Sequence, residues 1–151
     1  MDARPHVLIL SKDPVLRGLL GHLLGHERFC PSEASSMEEL RACCTQPERA
    51  PELILLDAVD SGELAQELLA DAWRILGDVQ PPLVVLAGST TDATVTDHAF
   101  IDRVLWMPIS SETLLDQVRY HLTVRPRRAM SSGVQIRVPA SESDDSVDDV
   151  G

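Results

Sequence analysis

Five short apolar runs occur in the first 106 residues, at about 6–10, 28–33, 52–56, 82–86 and 103–106, and a helical pattern follows each one. The third is the most informative. Leu53-Ile54-Leu55-Leu56 is apolar at four consecutive positions, as suits a central strand buried on both faces. Strands alternating with helices and obeying the right-handed crossover rule build a doubly wound, five-stranded parallel sheet with helices on both faces. No internal repeat competes with this α/β reading.

Caps and stripes mark the helices. Asp13-Pro14 offers an N-cap and a proline at the first helical position, ahead of Val15, Leu16, Leu19, Leu20, Leu23 and Leu24 at helical spacing. Ser36 and Glu39 have the spacing of a capping box, with Met37, Leu40 and Cys44 on the apolar side. Leu64, Leu68, Leu69, Ala72, Trp73 and Leu76 form a third stripe, in which Trp73 reads as core packing. The fourth segment, 89–99, is crowded with Thr90, Thr91, Thr94, Val95 and Thr96, so its helix propensity is poor. The fifth helix begins at Ser111, with Glu112 in its first turn and Leu114, Leu115, Val118 and Leu122 on one side.

The character changes after Thr123. Residues 124–151 carry Arg125-Pro126-Arg127-Arg128, then Ser131-Ser132-Gly133, then an acidic, serine-rich end, and are expected to form a flexible tail beyond a single domain at 5–123. Within the tail, Val134-Gln135-Ile136-Arg137-Val138 alternates apolar and polar, a pattern able to add a strand to another sheet edge; an ordinary tail is the plainer alternative.

A formal charge of -11 argues against a general nucleic-acid surface. Nowhere are 18 consecutive residues apolar, so no bilayer-spanning segment is expected. The start, Met1-Asp2-Ala3-Arg4-Pro5, lacks the plan of a secretory signal, which makes the cytoplasm the expected compartment. Cys30, Cys43 and Cys44 have no CxxC spacing and read as buried structural thiols. His22 and His26 stand four apart in the first helix, a two-ligand spacing, but the sequence supplies no third ligand and they read as surface histidines.

Asp57 follows the third strand, at the sheet edge where open α/β sheets place their chemistry. Lys12, the one lysine in the chain, falls just past the first strand. The order of elements, Val7-Leu8-Ile9-Leu10 before Asp13-Pro14 and Arg17, Pro51-Glu52-Leu53-Ile54-Leu55-Leu56-Asp57, Pro82-Leu83-Val84-Val85-Leu86 and Met107-Pro108 together resemble the receiver (response-regulator) domain of bacterial two-component signalling, with its flavodoxin-like fold. The resemblance covers residues 5–123.

Such a resemblance implies a phosphoacceptor aspartate, matched by Asp57. It also implies an acidic pair holding magnesium, a Ser/Thr after strand four, a lysine after strand five and an aromatic three residues before that lysine. Those positions are occupied by Ser11 and Lys12, by Ala87, by Met107 and by Val104. Phosphoryl transfer is mostly positioning and charge neutralisation, and magnesium wants carboxylate oxygens. The magnesium site is therefore expected to be lost, with no cofactor and no catalysis. Lys12 has two readings, a cation paired with Asp57 or a side chain in solvent. Asp13 reads as a cap rather than a displaced metal ligand. If the family's turn survives, Met107–Pro108 is cis.

The expected function is an atypical stand-alone receiver, a phosphorylation-independent protein-interaction module. Its partners would engage the fourth helix, fifth strand and fifth helix near Trp106, or the tail, and a homodimer is possible. The alternative is a response regulator that accepts phosphate on Asp57 by a non-standard route. A flavodoxin-like enzyme or ligand binder would need a glycine-rich phosphate loop, which Ser11-Lys12-Asp13-Pro14 does not offer.

Overall fold

Each apolar run becomes a strand. The computed structural model describes residues 4–59, 63–70 and 81–123. Strands β1 (His6–Leu10), β2 (Cys30–Ala34), β3 (Leu53–Ala58), β4 (Leu83–Ala87) and β5 (Arg103–Trp106) pair in parallel in the order β2-β1-β3-β4-β5. Between and after them run α1 (Pro14–His26), α2 (Met37–Cys44), α3 (Glu63–Ala70), α4 (Ala93–Thr96) and α5 (Ser111–Thr123), with a 3-10 turn at Pro47–Arg49. The doubly wound parallel sheet expected from the sequence is the observed architecture.

Strand alternation sorts the core into two layers. Leu8, Leu10, Ile54, Leu56, Val85 and Ala58 meet Leu40 and Cys43 of α2, Leu64, Ala65 and Leu68 of α3, and Val95 of α4. On the other face Val7, Ile9, Leu53, Leu55, Val84 and Leu86 meet Leu20 and Leu24 of α1 and Leu114, Leu115 and Val118 of α5. Both faces of the central strands are thus covered, which is why their apolar residues run consecutively instead of alternating. Each buried Leu or Ile contributes about 1.5–3 kcal/mol over an exposed one.

Local signals behave as their chemistry directs. Asp13 accepts hydrogen bonds from the Val15 and Leu16 amides and caps α1. Ser36 caps α2 by accepting from the Glu39 amide, while the Glu39 carboxylate reaches back to the amide and hydroxyl of Ser35, one residue earlier than a standard box. The threonine-rich fourth segment forms only the single turn of α4, capped by Asp92.

Two expectations need correction. The second strand was placed at 28–33 but runs Cys30–Ala34, because α1 ends there in a left-handed turn. Arg28 has φ 70°, and the Phe29 amide donates to Leu24 O while the Phe29 side chain joins the core beside Leu24. The six-residue stripe of α1 is also wider than the face it buries. Leu20 and Leu24 are buried, but Val15 and Leu19 are 70% and 62% exposed. Ala72, Trp73, Leu76 and residues 124–151 lie outside the described residues.

Candidate functional site

Parallel pairing brings the carboxyl ends of β1, β3, β4 and β5 to one edge, so Ser11, Lys12, Asp57, Ala87 and Met107 come from four strands to a common crevice. Asp57 is half-buried, next to last in β3. Its Oδ1 accepts from the Val59 amide at 2.9 Å, and its Oδ2 accepts from Ser11 Oγ at 2.7 Å. Ser11 is fully buried. Its Oγ also accepts from the Asp13 amide at 3.0 Å, which leaves its one proton for Asp57. The Ser11 backbone is fixed as well: its amide donates to Ala34 O at 3.0 Å, and Arg17 Nη1 donates to its carbonyl at 2.8 Å.

Lys12 does not pair with Asp57. Its Nζ lies 2.9 Å from Glu63 Oε1 at the start of α3, with both side chains exposed. This hydrogen bond and the opposite charge push the Lys12 ammonium up and hold the Glu63 carboxyl below its usual range. Lys12, in the loop after β1, is thus a cation clipped to a neighbouring helix.

On the β4 side, Ala87 is fully buried and offers no hydroxyl. A different hydroxyl organises this edge. Thr91 Oγ1 donates to Ala58 O at 2.5 Å and accepts from the Gly88 amide at 2.9 Å, while Thr90 Oγ1 donates to Val59 O at 3.2 Å. The loops after β3 and β4 are thereby stitched together. They approach so closely that a Cβ on Gly88 would lie 3.1 Å from both Val59 O and Val59 Cγ1. On the β5 side, the Met107 amide donates to Ala87 O at 2.7 Å, and the Met107 side chain packs, partly buried, against the α1/α5 core layer. Met107–Pro108 is cis, as the resemblance implied. Val104 is half-buried and Trp106 is 56% exposed.

Thr91 and Glu63 were not anticipated. A Thr three residues after a strand-end glycine has the spacing of a side-chain-to-backbone turn, but read for helix propensity alone it registered only as β-branched. Nothing in the sequence signalled Glu63, whose partner is 51 residues away.

The residues present do not fit magnesium. The ion needs several hard oxygen ligands. At this edge one carboxylate already takes a hydroxyl and an amide proton, the adjacent Asp13 carboxylate caps α1, and an ammonium occupies the next position. Among the described residues no group of three or more His, Cys, Asp or Glu side chains could hold a metal.

No family model matches the chain, and no curated protein does so either. Solved structures match it over most of its length. A response regulator receiver (CheY-like) domain protein from Methanospirillum hungatei is 18% identical with TM-score 0.66, covering 81% of this chain and 96% of its own. The signal receiver domain of an HD domain-containing protein from Pseudomonas fluorescens is 20% identical with TM-score 0.64, covering 82% and 90%. A response regulator receiver protein from Pseudomonas putida is 23% identical with TM-score 0.60, covering 80% and 99%. The fold is that of receiver domains. Within this fold Asp57 lies near the end of β3, and its surroundings are hydrogen-bond donors and apolar packing.

Proposed function

We propose that this receiver-fold domain is a phosphorylation-independent interaction module of two-component signal transduction, with no catalytic step of its own. The observation that carries the proposal is the Ser11–Asp57 hydrogen bond: a fully buried hydroxyl occupies the carboxylate where a metal would have to bind. The rest of the edge agrees. Lys12 is held by Glu63, Met107 is packed into the core, and Ala87 cannot bond a phosphoryl oxygen.

Partners engage the face made by α4, β5 and α5. Trp106 on β5 and Tyr120 on α5 are exposed aromatics of these elements, and large, rigid side chains of this kind anchor interfaces. With Thr91 bridging Gly88 and Ala58, the loop leading to α4 is tied to β3 through a hydroxyl that does not touch Asp57. The face is accordingly fixed in one state.

The second reading, acceptance of phosphate on Asp57 by another route, draws support from the position of Asp57, half-buried at the open end of the sheet. Incubation with acetyl phosphate and magnesium, followed by intact-mass measurement, separates the two. The module reading expects an unchanged mass; a phosphoryl adduct absent from Asp57→Asn would replace it with the second reading.

A further inference from the structure

Helix α1 has an outward face unlike that of an ordinary surface helix. Among Pro14–His26 the one fixed charge is Arg17, and its side chain is turned inward, bonded to Ser11 O and 3.5 Å from Glu33. The solvent side is formed instead by Val15, Gly18, Leu19, His22, Gly25 and His26. Val15 and Leu19 are 70% and 62% exposed, and Cβ atoms on Gly18 and Gly25 would meet nothing within 4 Å. Gly18, exposed inside the helix, lowers helix propensity relative to alanine, and no contact among the described residues explains it. In the middle of the face the His22 and His26 rings lie edge to face with centroids 4.5 Å apart.

We propose that His22 and His26 form half of a zinc-class metal site, and that the other half is the same pair on a second copy of this chain, packed helix against helix. Three observations lead to a second copy. Zinc takes four ligands in tetrahedral array, and an i, i+4 histidine pair supplies two imidazole nitrogens, so a twofold-related copy completes the set. Gly18 and Gly25 flank the pair and leave room for a second helix at close range, where Val15 and Leu19 would lose their exposure. Each chain carries a formal charge of -11, which opposes association everywhere except on a face without fixed charge; the ion adds positive charge where two copies would meet. The site lies on α1, apart from the α4–β5–α5 face, so its test is independent of the function proposed above.

Sedimentation velocity of the full chain with and without zinc chloride, followed by EDTA, tests it. The expected result is a zinc-dependent doubling of mass at one ion per two chains, reversed by EDTA. His22→Ala and His26→Ala should each weaken zinc-dependent association at least tenfold while circular dichroism stays unchanged. Gly18→Gln keeps both ligands and improves helix propensity, and should abolish the dimer while zinc still binds. No zinc-dependent change of mass, one ion per monomer, or a dimer that survives the double histidine substitution would each overturn the proposal.

Discussion

Ser11 holds one carboxylate oxygen of Asp57. A buried hydroxyl has one proton and two acceptor lone pairs, and here the proton goes to Asp57 Oδ2 while a lone pair takes the Asp13 amide. Ser11→Ala removes both bonds at once and leaves the Asp13 amide without this acceptor. We expect a loss of about 1–3 kcal/mol, read from urea unfolding midpoints; an unchanged midpoint would mean the hydroxyl has little part in holding the β1–α1 turn. That Ser11 and Lys12 follow β1 at the edge shared with Asp57 was legible in the sequence. That the serine would turn inward to Asp57, and the lysine outward to Glu63, was not. The first depends on the pairing of β1 with β3 and the second on where α3 begins, and no local pattern near residue 12 encodes either.

At the scale of elements, the strands and caps were legible because each rests on neighbouring residues. Asp13-Pro14 and Ser36 announce helix starts through chemistry confined to one turn. The second strand starts two residues later than expected because a left-handed Arg28, which turns the chain after α1, carries none of the usual glycine signal. Two contacts between elements can be tested. Thr91→Val keeps the shape and removes the hydroxyl that joins Gly88 to Ala58. Hydrogen exchange of the Gly88 amide should then accelerate, with a stability loss of about 1–3 kcal/mol. Exchange unchanged at Gly88 would show that backbone packing alone holds the loop.

The Lys12–Glu63 pair predicts a pH window. Glu63 is lowered from its ordinary 4.5, so its contribution is present above that value and lost as pH falls through the lower folded one. Lys12 is raised from 10.5, so its contribution is complete below 10.5 and lost as pH rises beyond it. The difference in urea midpoint between wild type and Lys12→Met should therefore be flat through neutral pH and vanish in acid. Because both side chains are exposed, salt should shrink it. A difference that persists below the carboxylate range would contradict this assignment.

At the scale of the molecule, the alternation of strands and helices pointed to a doubly wound parallel sheet, and the strand order β2-β1-β3-β4-β5 came with the structure. The sheet in turn explains why Ser11, Asp57, Ala87 and Met107 share an edge although they are far apart in sequence. On the function proposed above, a phosphoryl group at Asp57 would not move the α4–β5–α5 face. The most direct test is a ¹H–¹⁵N correlation spectrum of the full chain titrated with magnesium and beryllofluoride, a mimic of the aspartyl phosphate. The account predicts that the Val59, Gly88 and Thr91 amides and the Trp106 backbone and indole signals stay in place. Saturable shifts that begin at Val59, reach Trp106 and disappear in Asp57→Asn would contradict it.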